Sequence, residues 1–171
     1  QRPANGPRFA AFAAVAPECG YRLGNRATNR APILMLVAER DNRTGRAPCD
    51  DLASYLRAAG GNITVNLYRG ARHGFDDPAG PVRADPQGEN ITRCVWQQGP
   101  DGLWRERTSG VAGASLFRIN QTEATQQAYL RSREACRTLG TETQGDAALR
   151  GRAVGEVAGH MKTHVIDLRV R

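Results

Sequence analysis

Three apolar blocks with strand spacing, and one helical stripe set between the second and third, organise the first half of the chain. Arg8–Pro17 (RFAAFAAVAP) is almost continuously apolar and stops at the turn sequence Pro17-Glu18-Cys19-Gly20, the pattern of a parallel strand buried on both faces. Tyr21–Arg30 is polar and irregular, and Ile33–Ala38 (ILMLVA) is a second uninterrupted strand. Across Pro48–Ala59 the spacing becomes that of a helix. Cys49, Leu52, Ala53 and Leu56 share a face, Pro48 suits the first turn, and Gly60-Gly61 ends it. Ile63–Tyr68 then alternates Ile63, Val65 and Leu67 against Thr64, Asn66 and Tyr68. Strand, helix and strand in that order call for a right-handed parallel crossover.

The pattern changes after Asp76. Asp77–Asn90 is rich in Pro, Gly and charge and reads as a surface loop. Ile91–Gln98 and Leu103–Thr108 flank the turn Gly99-Pro100-Asp101-Gly102, which predicts a β-hairpin whose Trp96 and Trp104 form a cross-strand pair. Thr122–Leu139 reads as a helix with Thr122 at its N-cap. Asp146 to about Val165 reads as another, with Leu149, Ala153, Val157 and Met161 at helical steps. The fold class is α/β: three mostly parallel strands with a crossover helix, followed by a β-hairpin and two helices. Residues 1–76 form the sheet-bearing core, 77–121 a loop and hairpin excursion, and 122–171 the closing helices of the same domain.

At 171 residues, 40% hydrophobic and 24% charged, the chain is long enough for a packed core and is not compositionally disordered. The net charge of +7 is the balance of 24 basic against 17 acidic side chains, and of the basic ones only Lys162 is not arginine. That preference fits the bias of an arginine-favouring, bacterial genome. The arginines run from Arg2 to Arg171 with no stripe and no interleaved aromatic platform, so a nucleic-acid partner is not expected. No run approaches the ~20 apolar residues of a membrane span, so no membrane partner is expected either. Phe9–Pro17 lacks the layout of a signal peptide.

Cys19, Cys49, Cys94 and Cys136 fit no zinc or redox spacing and allow three pairings, among which sequence alone does not choose. Their places in the predicted elements favour Cys19–Cys49, on one rim of the sheet, which leaves Cys94–Cys136 to tie the excursion to the following helix. Two such bonds imply a periplasmic or extracellular location, and four buried thiols are the alternative.

Candidate chemistry sits at two strand ends. Asp41 follows its strand in APILMLVAERDNRT, and His73 follows the next in NITVNLYRGARHGFD. Taken singly, Asp41-Asn42 is a turn former and His73 a polar residue of a Gly-bounded loop. Taken together, each behind a strand and joined by one helix, they match the last two members of the nucleophile–acid–histidine order of an α/β-hydrolase. The nucleophile then belongs ahead of them. None of Ser54, Ser109, Ser115 and Ser132 stands in a Gly-x-Ser-x-Gly turn, and Cys19 has no Gly two residues before it. His160 and His164 in HMKTH lack the glutamate of a zincin helix and a third ligand, so no metal is expected. Asn42, Asn62, Asn90 and Asn120 begin Asn-x-Thr sequons, but Asn62 opens a buried strand and Asn42 adjoins the acid, which argues against sugar there.

Phe9–Asp76 resembles the C-terminal half of the dienelactone hydrolase family of α/β hydrolases. The resemblance is carried by the strand ending at Cys19, by PILMLVAERDNRT, by APCDDL and most specifically by LYRGARHGFDD. Cys19 and Cys49 resemble those of exported members, and the hairpin and closing helices loosely resemble their extension. The resemblance implies a carboxylic-ester or lactone hydrolase with a small-molecule substrate and no metal or organic cofactor. Asp41 is the implied acid and His73 the implied base, with Gly74 permitting the tight turn and Phe75 anchoring the loop. It also implies that the N-terminal half of the same fold, with nucleophile and oxyanion hole, lies upstream of Gln1. A noncatalytic α/β-hydrolase-like binding or structural module is the alternative. The 171-residue chain alone is therefore expected to resist acylation by serine- or cysteine-directed active-site probes, as read by intact mass; specific labelling of one residue would overturn the missing-nucleophile reading.

Overall fold

The computed structural model describes residues 9–24, 30–113 and 123–166. In chain order the elements are β1 (Phe12–Val15), β2 (Tyr21–Arg22), β3 (Ile33–Ala38), α1 (Arg46–Arg57), β4 (Ile63–Tyr68), β5 (Arg83–Asn90), β6 (Trp96–Gln98), β7 (Trp104–Glu106), β8 (Ala112–Gly113), α2 (Glu123–Glu134), β9 (Thr138–Thr143) and α3 (Ala147–Met161), with a π-helical turn at Lys162–Ile166. No described helix is long and apolar enough to cross a membrane.

β1, β3 and β4 make a parallel sheet with β3 in the centre. The central strand has no polar position because both its faces are covered. Leu34, Leu36 and Ala38 pack with Tyr68, Ala71, Phe75 and Ala153 of α3, while Met35 and Val37 pack with Ile63, Cys49 and Ala53 of α1. The α1 face is the predicted one, with Leu52 and Leu56 beside Cys49 and Ala53. The helix starts at Arg46, ahead of Pro48. β1 departs from expectation: it is only half-buried, because it is an edge of the sheet with a neighbour on one side among the described residues.

The excursion is more ordered than its sequence suggests. β6 and β7 form the predicted hairpin, but the register places Trp96 opposite Glu106 and Trp104 opposite Gln98. The two indoles are not direct cross-strand partners. Tyr21 sits against both, stacked on Trp96 with 5.1 Å between ring centres and edge-on to Trp104 at 5.9 Å. β2, expected to be irregular, brings Tyr21 there by pairing parallel to β6.

Two further differences matter for the site. Arg83–Asn90, expected to be loop, is strand β5, and its antiparallel partner β9, Thr138–Thr143, takes up Thr138 and Leu139, expected to end a helix, and the four residues after them. The helix α2 stops at Glu134, and Gly140 lies at φ +96°, outside any helix. β5 hides its character because the register shifts between Asp85 and Glu89, which accommodates Pro86 at an irregularity rather than in a regular ladder. The expected N-cap Thr122 lies outside the described residues. Cys19–Cys49 links the end of the β1 segment to α1, and Cys94–Cys136 links the approach to β6 to the end of α2.

β9 leads into α3 through Gln144 and Gly145, and Asp146 caps the helix by accepting from the Leu149 N–H at 2.9 Å. A Cβ on Gly145 would lie 2.0 Å from the Pro78 carbonyl oxygen. Gly145→Ala should therefore destabilise the fold by about 1–3 kcal/mol, read as a lowered midpoint in denaturant; an unchanged midpoint would show that this junction is not tightly packed.

Candidate active site

The β3 strand delivers Asp41 into a turn that closes back on its carboxylate. The Arg43 and Thr44 N–H groups donate to Oδ1 at 2.8 Å each, and the Thr44 hydroxyl donates to Oδ2 at 2.9 Å. Asp41 is 8% exposed, so these donors replace the water it has lost. His73 Nδ1 lies 2.9 Å from Oδ2. An ionised carboxylate only accepts, so Nδ1 carries the proton of this bond and the neutral ring's Nε2 is left as the acceptor. Burial raises the Asp41 pKa, but the bonds from His73 and the Thr44 and Arg43 amides outweigh it and hold the group at about 2.

The histidine loop is built by β4 and by its neighbours. The Arg40 N–H donates to the Ala71 carbonyl at 2.8 Å, and the Glu39 carboxylate accepts from the Gly70 N–H at 2.8 Å, joining the two loops at their bases. Gly74 lies at φ +76°, and a Cβ there would meet Asp77 Oδ2 at 2.7 Å, so the turn requires glycine. Phe75 is fully buried against Tyr68, with 4.6 Å between ring centres. These are the places expected for Gly74 and Phe75.

A strand absent from the sequence reading holds the site from behind. His73 bridges Thr143 of β9, the Gln144 N–H donates to the His73 carbonyl at 3.0 Å, and the Glu142 N–H donates to Asn42 Oδ1 at 2.9 Å. Arg72 Nε donates to Glu142 Oε2 at 2.8 Å. Thr44 and Asn42 are thus supporting residues that sequence reasoning passed over. The Asp-x-x-Thr spacing carries a local signal for the first, whereas nothing local links Asn42 to a residue 100 positions away.

The profile of the dienelactone hydrolase family matches residues 5–98, more than half of the chain, and this span holds both loops. The chain belongs to the dienelactone hydrolase family. No curated protein and no solved structure matches it. In this family member the described serines serve structure: Ser54 donates to the Asp50 carbonyl, Ser109 to Glu106, and buried Ser132 to the Tyr129 carbonyl while accepting from Trp96 Nε1. Ser115 lies outside the described residues, and all four cysteines are in disulfides. The dienelactone hydrolase fold here therefore carries a buried acid paired with a half-buried histidine, with no nucleophile beside them among the described residues. His160 and His164 lie edge to face, 4.7 Å apart by ring centres, and no cluster of three metal-ligating side chains occurs among the described residues.

Because the folded pKa of Asp41 is depressed, its ionised form stabilises the native state above the unfolded value of 3.8, and this contribution is lost as pH falls toward about 2. The loss amounts to about 2 kcal/mol. Denaturant melts across that window should show it, and Asp41→Asn should flatten the slope; equal slopes in both proteins would mean that other groups carry the acid sensitivity.

Proposed function

We propose that this protein hydrolyses carboxylic esters or lactones through an acyl-enzyme, with Asp41 and His73 as the acid and base of its triad. The observation that carries this reading is the 2.9 Å Nδ1–Oδ2 contact, which fixes the imidazole tautomer while three further donors hold the carboxylate. Nε2 of His73 takes the proton of an attacking hydroxyl or thiol and returns it to the leaving alkoxide, and a water molecule is activated in the same way to release the acid. Asp41 stabilises the imidazolium and stays ionised throughout.

The triad order places the nucleophile upstream of the acid. We take the chain as the C-terminal part of the hydrolase fold, with sheet-bearing core at 1–76, an excursion at 77–121 and closing helices at 122–171. Two features support an upstream partner segment. β1 has an open edge among the described residues, and beside it lies an apolar groove of about 420 Å³ lined by Val15, Ala153, Val154 and Val157. Val154 is 63% exposed, which an upstream strand and turn would cover. The two disulfides fit an oxidising, non-cytoplasmic setting, and we propose export to the periplasm or beyond. A noncatalytic binding module is favoured by one observation, the engagement of every described serine and of all four cysteines in structural bonds.

The test is hydrolysis of an activated ester and a simple lactone by the protein as its source makes it. Asp41→Asn and His73→Ala should each lower kcat/KM by at least about a thousandfold without changing the circular dichroism. Absence of hydrolysis, or hydrolysis indifferent to His73→Ala, would favour the binding module.

A further inference from the structure

β9 and the three residues after it present a row of backbone donors to the site. In an extended strand, alternate N–H groups point to the same edge and the intervening groups to the other. The Glu142, Gln144 and Asp146 N–H groups lie on the site edge, where they donate to Asn42 Oδ1 (2.9 Å), the His73 carbonyl (3.0 Å) and the Phe75 carbonyl (3.2 Å). Gly145 faces the other way, its carbonyl accepting from the Gly80 N–H at 3.1 Å. The last two acceptors are main-chain carbonyls of the histidine loop. The first is a side chain from the acid loop.

The geometry points to Asn42 as a positioning residue that sets the acid loop in register with the histidine loop. Its amide oxygen takes the place in the ladder that a strand carbonyl would occupy, one donor along from the His73 carbonyl. Both loops are therefore measured off one rigid edge, on which successive same-side donors are ~7 Å apart. Without the Asn42 acceptor the Asp41 turn keeps its own internal hydrogen bonds but loses its reference to β9. The Oδ2–Nδ1 distance is then free to lengthen, and a displacement of about 1 Å is enough to weaken catalysis. Asn42 touches no reacting atom; it acts through Asp41. The sequon that it begins is thereby occupied by an internal hydrogen bond. The inference rests on Asp41 and His73 being the functional pair.

Three measurements on the native protein test it. The His73 Nδ1 proton, seen far downfield by NMR while its bond to Asp41 shields it from exchange, should be present in wild type. It should be lost in Asn42→Leu and retained in Asn42→Asp, which keeps the acceptor oxygen. Trp104→Phe, destabilised at a site away from β9, should retain it too. Glu142 and Gln144 amides should exchange with deuterium equally slowly in wild type, a readout that holds even if Asn42→Leu does not fold. On an ester substrate, Asn42→Leu should lower kcat by about tenfold with KM unchanged, and Asn42→Asp should restore it. A persistent downfield proton in Asn42→Leu, or a Glu142 amide exchanging like an exposed loop, overturns the inference. Absence of any esterase activity in wild type, with the NMR results as expected, defeats the hydrolase reading and leaves the positioning role standing.

Discussion

A carboxylate withdrawn from water must find its hydration again in the protein, and Asp41 does so within its own turn. Three donors come from Arg43 and Thr44, and a fourth from an imidazole 32 positions on. Had the turn not closed on it, an unpaired buried charge would cost several kcal/mol. The chain therefore has little freedom between Ala38 and Arg46: a strand must end, a carboxylate must be enclosed, and a helix must begin. The Ile91 N–H seals the far side by donating to the Arg43 carbonyl at 2.7 Å, and Thr92 packs on Gly45.

The excursion is thus part of the site's framework rather than an appendage. Ile91 and Thr92 cover the acid turn, and β5 pairs with β9, the strand after α2 that backs both loops. Cys94–Cys136 ties the excursion to the turn between α2 and β9. The aromatic cluster of Tyr21, Trp96 and Trp104 fills the space between hairpin and helix and leaves the strands free to serve as struts.

The parallel core was legible because its signals are local and strong. Ile33–Ala38 admits no polar residue, Pro48 and Gly60-Gly61 bracket a helix, and Asp41 and His73 each stand directly behind a strand. Cys19–Cys49 was favoured by the rim its two cysteines share, and Cys94–Cys136 was the pair that remained. β5 and β9 were not legible for the opposite reason. RADPQGEN and TLGTET owe their strand conformation to each other across a long stretch of chain, and one contains proline while the other follows a helical run without a break before Gly140. The half-exposure of β1 was equally hidden, since an apolar run reads the same whether one edge or both are paired. Asn42 was visible only as a turn residue and a sequon, because its partner is a main-chain amide and leaves no mark in sequence.

The span of that last bond has a consequence for how the molecule comes into being. Asn42 and Glu142 are 100 residues apart, and the histidine loop waits on Gln144 and Asp146 as well. A polypeptide emerging from the ribosome has delivered both loops long before it delivers the edge to which they bond. Contacts of such long range are formed late and slowly. The acid–histidine pair is accordingly among the last features to be finished, so the chain passes through synthesis with its two loops made but not yet held against each other.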